Sequence, residues 1–250
     1  MRRIAVLGAS ARLVASLLAL LLFAAPALAG DRANIDFIGY SADGGYFAFE
    51  EYGVHDGSGG AYSSVQIIDL ANDKWMYGSP FTVDAGGDGD SMPPLAEVRA
   101  AALAKAQDRL DELSIGAPAS IAWLLGDGVP DADGKLASFA YPSCCGPGQT
   151  DERPQTLRLE PFAAKAAADC APQEVMGYAL TYEFEGSSVE AHRDGPTVPK
   201  SRGCPLDYRL YAVLSPFDAG AGSWVAIVSY YPMGFEGPDR RFLAVPIGVP

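Results

Sequence analysis

Between Asn34 and Val83, apolar and polar residues alternate in short runs separated by turn-forming residues. In "YFAFEEYG", Tyr46, Ala48, Glu50 and Tyr52 fall on one side, and Phe47, Phe49 and Glu51 on the other. A period of two with aromatic enrichment, bounded by Asp-Gly and Gly-Ser turns, predicts strands. "NIDFIGY", "SSVQIIDL" and the short "SPFTV" read the same way, with "SADGG", "VHDGSGGAY" and "ANDKW" as connections.

The period changes once. In "PPLAEVRAAALAKAQDRLDELSIG", Leu95, Val98, Ala102, Ala106, Leu110 and Leu113 recur every three or four residues, which predicts an amphipathic helix over about 94–113. Ser91 and the two prolines suit its start, and Gly116 suits its stop. Such a stripe packs a helix on a sheet; a partner-binding helix is the other reading. Residues 115–155 mix short apolar pieces with Gly, Pro and Asp, an irregular stretch in which "SIAWLL" and "KLASFAY" are candidate strands. From Thr156 the β pattern resumes in "TLRLEPF", "MGYALTYEF", "DYRLYAVLS", "SWVAIVSYY" and "RRFLAVPIG". The predicted fold is mainly β, antiparallel sheets in a sandwich-like or blade-like meander, with that one helix.

A faint echo links "FIGYSADGGYFAFEEYG" with "YAVLSPFDAGAGSWVAIVSYYPMG", in which Ala48 and Ala226 hold the same place. Two copies fall short of the four or so blades a propeller needs, so the first copy reads as a blade-like hairpin in a non-propeller fold.

Ahead of this region, a basic leader with Arg2, Arg3 and Arg12 is followed by "LVASLLALLLFAAPALA", ending Ala27-Leu28-Ala29. That layout predicts a secretory signal peptide over residues 1–29, cleaved before Gly30, in preference to a membrane anchor. Residues 30–250 then form a single mainly-β domain, periplasmic or secreted, with no membrane span after cleavage. Removing the leader takes three arginines and no acids, so the net charge falls from −13 to −16. Between Asp31 and Gly134 stand 18 acidic and 5 basic residues. An acidic surface with no basic stripe excludes nucleic acid as a partner.

In an oxidising compartment Cys144, Cys145, Cys170 and Cys204 suggest bridges. Adjacent cysteines rarely pair with each other, so Cys170–Cys204 is the preferred bridge and the pairing of Cys144 and Cys145 stays open. No cofactor is expected. Ca²⁺ is the candidate cation, at Asp84, Asp88 and Asp90 of "DAGGDGDS" or at Asp127, Asp131 and Asp133, although neither loop has an EF-hand spacing and solvated turns are the plainer reading.

Catalytic signatures are sparse. His55 with Glu51 and Asp56, or His192 with Asp194, offers acid–base groups, but no G-x-S-x-G elbow or phosphate-cradling loop accompanies them. Two loops are dense in polar groups. "HRDGPTVPKSRGCP" holds His192, Arg193, Asp194, Lys200 and Arg202, and "GFEGPDRRF" holds Glu236, Asp239, Arg240 and Arg241. Such clusters fix loops through Arg–carboxylate pairs or bind an anionic ligand.

"IDFIGYSADGGYFAFEEYGVHDGSG", "KSRGCPLDYRL" and "GFEGPDRRFLAV", behind a leader, resemble a bacterial family of predicted secreted proteins catalogued as domain of unknown function 2259. The resemblance runs from about Asp31 to the C-terminus and is weakest over 115–153. It implies export and one family-wide domain, and carries over no activity, cofactor or catalytic residue. Two function classes follow. The first is a ligand-binding or protein-interaction module whose polar loops meet an unknown ligand or envelope protein. The second is a carboxylate-based hydrolase of envelope glycans, which needs Glu50, Glu51, Glu236 or Asp239 in one cleft. A cleft lined by Tyr52, Trp224 and Tyr230 favours binding.

Overall fold

The computed structural model describes residues 30–86, 92–126, 132–140, 154–166, 170–217 and 223–248. Its strands fall into three sheets, antiparallel throughout except for one two-residue pairing. The first is built from β1 (Asn34–Ser41), β2 (Tyr46–Val54), β3 (Ala61–Asp69), β4 (Lys74–Trp75), β5 (Phe81–Asp84) and β6 (Ile115–Ala117), in the order β4-β3-β2-β1-β6, with β5 also beside β3. The second contains β7 (Ala119–Leu124), β13 (Pro205–Pro216), β14 (Trp224–Pro232) and β15 (Arg241–Ile247), in the order β15-β14-β13-β7. The third orders β11 (Ser187–Arg193), β10 (Val175–Phe184), β9 (Pro154–Ala166) and the two-residue β12 (Thr197–Val198), which runs parallel to β9; β8 (Leu136–Ala140) also pairs with β9. Helix α1 (Leu95–Glu112) lies on the first sheet.

Side-chain parity explains the stacking. Phe47, Phe49, Tyr62 and Ile68 of the first sheet meet Ala212, Leu214, Val225 and Ile227 of the second. The opposite parity of the second sheet, with Leu210, Trp224, Ala226 and Val228, meets Leu157, Leu159, Leu180 and Tyr182 of the third. The layers therefore run helix, first sheet, second sheet, third sheet. The second sheet is covered on both faces, and every residue from Trp224 to Tyr230 is buried. A strand covered on both sides has no polar alternation, which is why "SWVAIVSYY" reads as an unbroken apolar run. The β1–β2 and β13–β14 hairpins lie in different sheets. Ala48 and Ala226 both point away from the core the hairpins share, Ala48 toward α1 and Ala226 toward the third sheet.

Helix α1 buries Val98, Ala102, Ala106 and Leu110, the last three against Ala48, Val65 and Ile67. Its small alanines let the helix sit close on the sheet. Gly116 does not stop it; Gly116 lies in β6, and Ser114 with φ 52° takes the left-handed turn after the helix. Arg99, on the flank of the apolar stripe, donates to Glu50 from Nε (3.0 Å) and Nη2 (2.7 Å) and to Asp36, and lies 3.6 Å over the ring of Tyr52. In the opening "SADGG" turn, Ser41 Oγ donates to Asp43 (2.6 Å) and accepts from Tyr46 N–H (2.9 Å), while Gly45 N–H donates to Asp43 (3.0 Å).

Both candidate strands of the irregular stretch are present, as β7 and β8. The C-terminal polar loop is shorter than its composition suggests, because its first residues, His192 and Arg193, belong to β11. That strand is a sheet edge with both faces largely open to water, so it lacks the apolar alternation that marks the others. Among the described residues no helix is long and apolar enough to cross a membrane.

Candidate functional site

At the end of β11, Asp194 gathers four donated hydrogen bonds. It accepts from Tyr178 N–H (3.0 Å), from His192 Nε2 (3.1 Å) and twice from Arg202 Nη1 (2.8 and 2.7 Å). The other ring nitrogen of His192, Nδ1, lies 3.0 Å from Asp73 in the turn between β3 and β4. One imidazole thus ties the first sheet to the third. Burial opposes charge on His192, but the bonds to Asp194 and Asp73 outweigh it and lift its pKa to about 9. Burial likewise opposes charge on Asp194, yet His192 and Arg202 hold its carboxyl below the usual range. With both ring nitrogens facing carboxylates, His192 is a cation at neutral pH.

Arg202 comes from the 3₁₀ turn Lys200–Arg202, which Cys204 anchors through its bridge to Cys170 (Cα–Cα 5.6 Å). The preferred disulfide is therefore present; Cys144 and Cys145 lie outside the described residues. Tyr178 stands between His192 and Tyr208, with ring centroids 4.8 and 4.6 Å away. The guanidinium carbon of Arg202 is 5.2 Å from the Tyr178 ring centre. The Tyr178 hydroxyl is completely buried and has no hydrogen-bond partner among the described residues. Leaving such a group unpaired costs about 1–3 kcal/mol.

These residues wall a pocket of about 180 Å³ where the three sheets meet. Tyr178, His192 and Arg202 form one side. Asp73, Lys74 and Trp75 cover it from the first sheet, and Tyr230 with residues Leu243 to Val245 of β15 closes the back. Trp75 is 42% exposed, an aromatic face open at the pocket mouth.

A second cluster repeats the pattern with other residues. His55 Nδ1 lies 2.5 Å from Asp31, and Nε2 lies 3.2 Å from Asp84. His55 stacks on Tyr62 at 4.7 Å, and Arg241 bonds the Tyr62 hydroxyl. Asp56, the sequence-adjacent acid, instead gives its N–H to Asp31 (2.7 Å). Burial opposes the charge on His55, and the bonds to Asp31 and Asp84 raise its pKa on balance. Glu51 accepts from Phe242 N–H (2.7 Å), and burial pushes its pKa up to about 7 against the pull of Arg241.

Of the sequence-predicted binding residues, the structure brings together His192, Asp194 and Arg202. Asp239 and Arg240 hold the start of the first sheet: Asp239 accepts from Asp31 N–H (2.9 Å), and Arg240 donates to the Ala33 carbonyl (3.1 and 2.6 Å). Arg193 pairs with Glu190 on the surface (2.7 Å), and Lys200 and Glu236 are exposed. Glu50 and Glu51 turn to opposite faces of their sheet, Glu50 toward Arg99 and Glu51 toward β15. Trp224 is core, stacked on Phe139 at 5.7 Å, and Tyr52 lies under Arg99; only Tyr230 reaches the pocket. Asp84 is engaged by His55, while Asp88 and Asp90 lie outside the described residues, as do Asp127 and Asp131. Among the described residues no group of three or more His, Cys, Asp or Glu is arranged to hold a metal ion.

Tyr178, Asp73, Lys74 and Trp75 were not legible as site residues. A tyrosine in a strand reads as core, and "ANDKW" reads as a turn. The i,i+2 spacing of His192 and Asp194 was the signal that did exist.

No curated protein and no solved structure matches the chain. A family model described as a predicted secreted protein, domain of unknown function 2259, matches residues 48–248, from the third residue of β2 through β15 and therefore across all three sheets and the pocket. By that match the chain belongs to the domain of unknown function 2259 family of predicted secreted proteins.

Proposed function

We propose that this protein is an exported binding module whose small-molecule ligand enters the pocket between Tyr178, Arg202 and Trp75. The observation that carries the reading is the buried Tyr178 hydroxyl, left without a partner on a pocket wall. A fold that satisfies Asp194 four times over leaves this group unpaired among the described residues, at a cost in stability that a bound acceptor would remove. The rest of the site fits binding better than turnover. His192 is held as a cation between two carboxylates, which fixes its position but removes the free lone pair a general base needs.

Native mass spectrometry of unreduced protein recovered from its own bacterial envelope tests this. The wild type is expected to carry a small-molecule adduct, and Ser201→Trp, which fills the pocket from an exposed turn, to lack it. An adduct retained by the filled variant places the ligand elsewhere, and no adduct on the wild type contradicts the reading.

A further inference from the structure

We propose that the ligand is a small organic anion, gripped through a carboxylate by Arg202, Lys74 and Tyr178, with an apolar body against Trp75 and β15. The proposal rests on the pocket reading above and narrows it to a chemical class.

Donors without acceptors come first. Among the described residues the Arg202 side chain bonds only through Nη1, to Asp194 and Tyr208, and its Nε and Nη2 make no hydrogen bond. The Lys74 ammonium has no ion pair among the described residues. The Tyr178 hydroxyl is unpaired among the described residues. A guanidinium's Nε–Nη2 edge presents two parallel N–H groups, which match the two oxygens of a carboxylate. The one carboxylate on the pocket wall, Asp73, is already engaged by His192.

Charge points the same way. The wall carries Lys74, His192 and Arg202 against Asp73, and with Asp194, which His192 and Arg202 share, the local balance is still positive by one charge in a chain whose net charge is −13. A cationic pocket on an acidic protein is a local reversal of field that favours anion entry at that one place. Shape then separates an organic anion from a bare inorganic one. Ile68, Leu243 and Val245 line the pocket and Trp75 stands at its mouth, so inorganic phosphate would leave the apolar wall uncovered. At about 180 Å³ the space is below the roughly 300–1,000 Å³ of drug-sized sites, which limits the body to a small ring or short chain.

The test is a thermal-shift screen of the oxidised protein against small aromatic and aliphatic carboxylates, each beside its neutral amide, with inorganic phosphate alongside. At saturation a carboxylate is expected to raise the melting temperature by several degrees, and its amide to have no effect. Lys74→Ala, a surface change, should weaken binding tenfold or more. Tyr178→Phe should weaken binding while raising the melting temperature of the ligand-free protein, because it deletes an unsatisfied buried group. Equal shifts from acid and amide, or a best ligand that is neutral or cationic, overturn the anion class and leave the pocket reading standing. A shift from phosphate alone overturns the organic body. Binding that Ser201→Trp does not reduce overturns the pocket reading itself, and no shift from any compound overturns the proposal.

Discussion

His192 is the residue in which sequence and site meet most directly. It lies between Asp194 and Asp73, stacked on Tyr178, and Arg202 is bound to the same Asp194. Its pKa rises from an unfolded value of about 6.5 to about 9, so the folded state binds the proton more tightly. The contribution to stability is complete below about pH 6.5 and is lost as pH rises through about 9, a difference on the order of 3 kcal/mol. Melting temperatures of wild type and His192→Gln, followed from pH 6 to pH 9.5, should therefore converge as the solution becomes alkaline; a constant gap would contradict the doubly paired imidazole. Asp194 was legible as a partner because it stands two positions from His192 at one strand end. Asp73 was not, because it stands 119 positions from His192 and only the stacking of sheets brings them together. The same holds for Asp31 and Asp84 around His55.

The elements were legible in proportion to how much their two sides differ. Helix α1 has one dry face and shows it with a period of 3.6; β2 is covered on both sides, but its large aromatic side meets the second sheet and its other side, with the small Ala48, meets α1, and its period of 2 shows that difference. β11 has no dry face and was missed; β14 has no wet one and read only as an apolar run. What periodicity does not reveal is the tie between α1 and its sheet. Arg99 falls outside the apolar stripe, yet its guanidinium compensates the buried Glu50 carboxylate while Tyr52 supports it from below. Arg99→Ala should strand that charge. Breaking a buried pair costs about 3–5 kcal/mol, less here because Arg99 is about a third exposed, so a loss of about 2–3 kcal/mol in urea unfolding is expected. Arg99→Ala with Glu50→Gln should recover part of it, whereas an unchanged midpoint in the single variant would show that the pair contributes nothing.

For the molecule as a whole, the Cys170–Cys204 bridge closes a loop that contains Tyr178, His192, Asp194 and Arg202, the entire third-sheet side of the pocket. With 34 residues of separation, chain entropy assigns the bridge about 3–4 kcal/mol. Cys170→Ser with Cys204→Ser should lower stability by that amount in a denaturant melt, and ligand affinity should fall with it; full stability without the bridge would show that the β-sheet pairing alone fixes this loop. The choice between a sandwich and a blade-like stack was beyond the sequence, since stacking order depends on contacts between strands far apart in the chain. The stack also imposes an order in time. The central layer is made mostly of residues 205–247, which are synthesised after the strands of both outer sheets, and each outer sheet has a face that only this layer covers. A chain leaving the ribosome from its amino end carries those two faces open until β13 to β15 emerge, so neither outer sheet consolidates before the layer between them has been made.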